Sequence, residues 1–245
     1  MNGTQTLDRA LEILFALAET QEMLTVSQIA DNVGIPDSTA YRFLQTLEQH
    51  GLIERKGKGQ ITLGLRILDL ARNVHHQINK QLIELAIPFM EDLTKETGET
   101  SILALRSGGS VICIHYVESS RPIRLKAEIG KAFPLHLGAS GKVLLAFEPS
   151  KVVDQFLSGI KDSDTIELIQ SLTKIRIDGY SISSGEIYPD VIAIAAPVFD
   201  YRNQVIASLT IAGPVSRESI DETLIQKIVH TTTSLSVKLG MKNEY

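Results

Sequence analysis

Between Leu24 and Leu63 the spacing of apolar and polar residues predicts a helix, a tight turn, a second helix and a short hairpin. Thr25 followed three residues later by Gln28 has the spacing of a capping box, and Leu24 and Ile29 stand at the two positions of a hydrophobic staple. A helix is therefore predicted from Val26, with Ile29, Ala30 and Val33 on its apolar face and Gly34 ending it. Pro36 suits a first helical position, and Asp37 places a carboxylate against the positive helix end. The next helix buries Ala40, Phe43, Leu44 and Leu47, spaced three and four apart. That choice leaves Ser38, Thr39, Tyr41, Arg42, Gln45 and Thr46 on a polar face. Gly51 closes the helix, and Leu52 can pack back on Leu47. The hairpin arms run over 52–55 and 60–63, joined by Lys56, Gly57, Lys58 and Gly59.

Before this unit, Leu7, Ala10, Leu11, Leu14, Leu17 and Ala18 predict one apolar face of a first helix, with Asp8, Arg9 and Glu12 outside. After it, residues 65–81 contain no Gly or Pro and read as a connecting helix. A further apolar face over 82–93 is kinked or restarted by Pro88 and ended by Gly98. The pattern then turns strand-like: 100–105 and 111–117 are β-rich, separated by a Ser-Gly-Gly-Ser turn, and 123–127 is a candidate third strand. A loop enters a helix at 138–147, and helices are predicted over 151–157 and 165–176. Residues 191–199 and 204–212 form a closing hairpin. A last helix starts at a second capping box, Ser219 with Glu222, and carries Leu224, Ile228, Leu235 and Leu239 to Gly240. Strands enclosed by helices give an α+β class: a winged helix-turn-helix, a linker helix and a ligand-sensing domain.

Composition narrows this only slightly. A chain of 245 residues that is 43% hydrophobic and 22% charged is long enough for two cores and is not of disordered type. Its net charge of −5 excludes a protein coated in nucleic acid over its whole surface, so any contact with a polyanion is local. Residues 1–75 hold seven Lys and Arg against nine Asp and Glu, so the helix-turn-helix unit is not basic as a whole. What points to DNA is where the cations stand. Arg42 lies on the polar face of the second helix, and Arg55, Lys56 and Lys58 lie on the wing, where they can reach phosphates or the minor groove. The acids are expected on surfaces facing away. The competing reading is a winged-helix adaptor for protein or RNA. The amino-terminal sequence lacks a secretory pattern and no run approaches eighteen apolar residues, so no membrane segment and a cytoplasmic location are expected.

Catalytic and metal readings fail on spacing. In Gly138-Ala139-Ser140-Gly141-Lys142 the serine is followed directly by glycine, so it is not G-x-S-x-G. It is not a P-loop, because His136 replaces the first glycine and Val143 the magnesium-binding hydroxyl. The six histidines match no zinc spacing, and Cys113 is a lone cysteine in an apolar run. His115 and His136 can approach each other in the fold, although two hydrogen-bonded imidazoles are the simpler reading. Glu186 and Asp190 lie among turn residues and read as solvated. No catalytic residue, metal or cofactor is assigned.

Taken in order, TLDRALEILFALAE, LTVSQIADNVGIPDSTAYRFLQTLEQHGLIER, ITLGLRILDLA, PFMEDLTKETGETSILAL, PLHLGASGKVLLA, DGYSISSGEIYPDVIAIAAPVFD, VIASLTIAGP and SLSVKLG resemble the IclR family of bacterial transcriptional regulators across almost the whole chain. The resemblance implies a winged helix over 1–64, a linker helix over 65–81 and a GAF-like effector-binding domain over 82–245. The implied partners are an inverted-repeat DNA operator, a small organic acid and a second copy of the chain, with pairing of dimers as a further step. The DNA-reading residues would be Ser38, Thr39, Tyr41, Arg42, Gln45, Thr46, Arg55, Lys56 and Lys58. The effector would sit under the loop Leu137, Gly138, Ala139, Ser140 and Gly141, where a glycine-rich turn entering a helix offers backbone N–H groups to a carboxylate. Ala193, Thr210 and Ala212 stand where family members often carry Cys, Ser and Ser facing the ligand. With two of those polar groups missing, a bulkier or aromatic acid is expected rather than a two- or three-carbon oxoacid.

Overall fold

The computed structural model describes residues 3–20, 22–74, 80–159, 162–217 and 222–241, and the chain divides into two compact units, 1–78 and 79–245. The first holds helices α1 (Gly3–Glu19), α2 (Val26–Val33) and α3 (Asp37–Gln49), strands β1 (Ile53–Arg55) and β2 (Ile61–Leu63), and helix α4 (Arg66–Val74). The local signals act as expected. Thr25 and Gln28 close a reciprocal capping box, and Leu24 and Ile29 join one core. At the end of α3 the Leu52 N–H reaches the Leu47 carbonyl at 2.9 Å and the Gly51 N–H the Glu48 carbonyl at 2.9 Å, with Gly51 at φ 68°. This is the Schellman pairing. Pro36 stands one position earlier than predicted, as the N-cap of α3. Asp37, the first helical residue, ties α3 to α2 by accepting from the Ser27 hydroxyl at 2.8 Å.

Helix α1 corrects the expected face. Ile13, absent from the predicted stripe, is fully buried beside Leu17, while Leu7 is 60% and Leu11 41% exposed and Ala18 also faces out. Apolar residues cover most of this helix's circumference, so its own pattern could not select which side meets α2 and α3.

In the second unit, α5 (Lys80–Thr97) precedes β3 (Thr100–Ser107), β4 (Ser110–Val117) and β5 (Ala132–Pro134). Helices α6 (Gly138–Ala146), α7 (Ser150–Leu157) and α8 (Asp162–Asp178) follow. Strands β6 (Ser181–Ser184), β7 (Val191–Phe199) and β8 (Val205–Pro214) then lead to α9 (Glu222–Lys238). The strands form one antiparallel sheet in the order β5-β4-β3-β8-β7-β6. Alternate residues serve opposite faces. Leu103, Ile194, Leu209 and Ile211 pack with α5 and α9, while Ala104 and Ala195 pack with α6 and α8.

Three expectations change here. Pro88 does not restart α5, which runs through it. Residues 123–127 are not a strand: the Thr100 hydroxyl donates to the Leu125 carbonyl at 2.8 Å, so a side chain holds this stretch as a strap, and pairing with β4 falls instead to β5. Strand β6 carried too little apolar alternation to be predicted. The predicted linker helix is seen as α4 and the start of α5, and residues 75–79 between them lie outside the described residues, as does Ser219 of the second capping box. No helix among the described residues is long and apolar enough to cross a membrane.

Candidate nucleic-acid interface and effector cavity

The polar face of α3 is built by the burial of its opposite side. With Ala40, Leu44 and Leu47 in the core and Phe43 half-buried, Ser38, Tyr41, Arg42, Gln45 and Thr46 are exposed and Thr39 is half-buried. Arg42 makes no ion pair among the described residues. Thr46 donates back to the Arg42 carbonyl at 3.2 Å, leaving its methyl and hydroxyl beside that arginine. The wing is brought against this face by β1: the Arg55 guanidinium lies 5.0 Å from the centre of the Tyr41 ring and bonds Glu48 at 2.9 Å. Lys56 pairs with Glu54 at 2.5 Å, and this contact holds the Glu54 carboxyl below its ordinary range. The acids were expected to face away, yet Glu48 and Glu54 neutralise two of the wing cations. The reason lies in the hairpin register, which sets Glu54 and Arg55 on adjacent, opposite-facing positions beside α3. The side chain of Lys58 lies outside the described residues.

In the second unit a cavity of about 110 Å³ lies between the sheet, the amino-terminal turn of α6, the strap and the loop after β6. Leu137, Gly138, Ala139, Ser140, Ala193, Thr210 and Ala212 all line it. Ala193 and Ala212 are register partners on β7 and β8, which is why residues about twenty apart reach one wall. Gly141 does not line the cavity. It is instead the closest approach of α6 to the chain before it, since a Cβ there would stand 2.4 Å from the Leu135 carbonyl oxygen.

The amino-terminal turn of α6 is not empty of partners. The Gly138 N–H donates to Glu186 Oε2 at 3.0 Å and the Ala139 N–H to the Ser183 hydroxyl at 3.0 Å. The Ser140 and Thr210 hydroxyls are 2.5 Å apart. Glu186, read from sequence as solvated, is thus the cap of α6, and its other oxygen pairs with Lys142 at 2.6 Å. Nothing local in the sequence signals this, because the partners are 48 and 44 residues apart.

The walls missed by sequence reasoning are Ile102, Leu125, Phe133, Ile187 and Tyr188, with Cys113 among them. Phe133 and Tyr188 meet edge to face at 5.9 Å. The strap is tied down by Arg121 to Glu99 at 2.5 Å and by the Ser119 hydroxyl to the Gly98 carbonyl at 2.5 Å. Burial pushes the Cys113 thiol up to about 11, so it stays protonated and acts as an apolar wall rather than a nucleophile. On the neighbouring strand position His115 is held below its ordinary range by burial, opposed by Glu91. His136 packs on Phe156 with ring centres 5.8 Å apart. Among the described residues no group of three or more His, Cys, Asp or Glu is placed to hold a metal. The cavity therefore offers a part-aromatic, largely apolar volume with a few hydroxyls and the charged Lys126, Glu128 and Lys131 also lining it, suited to holding a small molecule rather than transforming one.

Comparison with known proteins agrees with both halves of this description. A model of the IclR helix-turn-helix domain matches residues 6–57, and one of the bacterial transcriptional regulator IclR C-terminal domain matches residues 75–237. The chain is 30% identical to the HTH-type transcriptional repressor AllR of Klebsiella pneumoniae, covering 98% of this chain and 92% of that one. It is 29% identical to the HTH-type transcriptional regulator KipR of Bacillus subtilis, covering 98% of each. Among solved structures it is similar to an IclR homolog from Microbacterium hydrocarbonoxydans complexed with 4-hydroxybenzoate, with a TM-score of 0.74 at 24% identity over 96% of this chain and 98% of that one.

Proposed function

The chain belongs to the IclR family of bacterial transcriptional regulators and is a DNA-binding regulator rather than an enzyme; from that premise we propose that two copies read an inverted-repeat operator under the control of a small organic acid held in the cavity. The observation that carries the DNA reading is α3 itself, apolar on the side facing its own core and lined with exposed hydroxyl, amide and guanidinium groups on the other. Arg42, Gln45 and the groups beside them reach base edges, while Arg55, Lys56 and Lys58 hold phosphates.

One such helix covers a single half-site, so a second copy is required, with half-sites about 34 Å apart. Support for pairing comes from the apolar residues that the first unit leaves exposed: Leu7, Leu11 and Phe15 at helical spacing on α1, and Leu65, Leu68 and Leu70 around α4. On this reading 1–64 reads DNA, 65–81 links and pairs, and 82–245 senses the effector. Assembly of dimers into tetramers is a further step, and a protein acting on DNA in this way works in the cytoplasm.

The acid is aromatic or of medium chain length, because Phe133, Tyr188, Ile187 and two alanines make much of the cavity wall apolar, while the Ser140, Thr210 and Ser183 hydroxyls and the charged Lys126, Glu128 and Lys131 also line it. The ligand of the Microbacterium homolog, an aromatic acid, is of this chemical type. Coupling of about 1–3 kcal/mol between acid and operator changes DNA affinity roughly 5–150-fold.

The test is selection of bound duplexes from a random library with the full chain, with and without a mixture of organic acids. An inverted-repeat consensus whose recovery changes with the acids is the expected result. No consensus under either condition overturns the reading in favour of a protein- or RNA-binding adaptor. Titration calorimetry with an acid panel in which only two- or three-carbon oxoacids bind overturns the assignment of the acid class.

A further inference from the structure

One wall of the cavity is a loop that carries a charged residue bonded to the turn it covers. Residues 185–190 leave β6 and return to β7, and their neck is closed by the Gly185 N–H bonded to the Val191 carbonyl at 3.0 Å. Within the loop the Val191 N–H also meets the Tyr188 carbonyl at 3.0 Å, so these residues form one compact turn rather than a slack connection. Ile187 packs over Gly138 and Tyr188 over Phe133, and both line the cavity. What holds the loop there is Glu186, through the Gly138 N–H and Lys142. Lys142 is only 12% exposed, and a cation so far from water is costly unless paired.

We infer that 185–190 is a flap over the cavity and that the Glu186 contacts to Gly138 and Lys142 are the latch that keeps it shut. The inference deepens the effector reading, because a ligand entering or leaving past Ile187 and Tyr188 must first break an ion pair whose lysine is only 12% exposed. The loop is also tied at its base, where the Val215 N–H bonds the Asp190 carbonyl at 2.9 Å, but Glu186, Tyr188, Pro189 and Asp190 are already exposed and the loop adds no strand to the sheet. A stored ligand would consequently exchange slowly, at a rate set by this chain rather than by diffusion.

Cys113 is the one cysteine of the sequence and lines the same cavity, so its alkylation by iodoacetamide reports opening without any effector being known. In the full chain, Glu186→Ala is expected to raise the labelling rate about tenfold or more, as loss of a charge-assisted bond implies. Glu186→Gln keeps an acceptor for the Gly138 N–H and gives an intermediate rate. The rates of all three proteins should be nearly independent of low urea, since a local opening exposes little surface, whereas labelling through global unfolding rises steeply with urea. Labelling of Glu186→Ala within about twofold of wild type overturns the latch, as does an acceleration that appears only with a steep urea dependence. A second arm adds 4-hydroxybenzoate and hexanoate: protection of Cys113 is expected, and its absence alongside a working latch overturns the effector reading while leaving the flap intact.

Discussion

Both surfaces that would meet a partner carry charges already satisfied within the chain, and the two arrangements differ in depth. On the wing, Arg55 and Lys56 pair with Glu48 and Glu54 at the surface, with every one of these side chains more than a quarter exposed. In the sensor unit, Glu186 pairs with a lysine almost withdrawn from water. Exposed pairs are worth about 0–1 kcal/mol and exchange readily for phosphate, so they lower non-specific affinity without blocking it. The Glu186 pair has its carboxylate 30% exposed but its lysine only 12%, so loss of the carboxylate strands a mostly withdrawn cation and the pair acts as a threshold. On the proposed reading, the DNA face exchanges fast and with a strong salt dependence, and the cavity exchanges more slowly.

The largest expected effect breaks the cavity side of this contrast while sparing the wing. Gly141→Val drives a side chain into the Leu135 carbonyl, and about 3 kcal/mol or more of sensor-unit stability should be lost, read by thermal unfolding together with loss of acid binding. Binding of non-specific DNA should persist; its loss would show that the two units do not fold independently.

Arg42→Ala comes next. It should cost about 1–3 kcal/mol on the selected operator and little on random duplex, measured by fluorescence anisotropy. An unchanged operator affinity would mean that α3 is turned otherwise in the groove. Smaller still, and a direct test of the wing pairs, Glu54→Gln should raise affinity for all duplexes a few-fold at low salt, with the gain vanishing at high salt as screening weakens the pairing. Lys56→Ala should do the opposite and reduce the salt slope by about 1.

The smallest effect concerns His115. Burial keeps its imidazole neutral in the folded chain at pH values where the unfolded chain takes up a proton. The unfolded state therefore binds more protons below about pH 6.5, and stability falls as pH drops from 7 toward 5.5. His115→Gln should flatten that part of the curve in denaturant titrations. An unchanged curve would place the imidazole in water.

The winged unit was more legible in the sequence than the sensor unit, for a physical reason. A capping box, a Schellman ending and a hairpin are decided by residues within about six positions of one another, and these appear as Thr25 with Gln28, Leu47 with Leu52, and Arg55 with Ile61 across a short turn. The strap over 123–127 misled because Ile123, Leu125 and Ala127 alternate like a strand, while the contact that fixes it comes from Thr100. The cap on α6 was invisible in the same way: Ser183 arrives from β6 and Glu186 from the loop after it, 44 and 48 residues on.

By itself, the sequence determined where α2 begins and α3 ends, which face of α3 is polar, and that a glycine-rich turn opens α6, because each rests on contacts between near neighbours. Only the tertiary structure decided which side of α1 is buried, that the wing cations face acids of their own unit, and that a carboxylate of the chain caps α6. Each of those depends on which distant surface the fold brings opposite, and no local spacing encodes it.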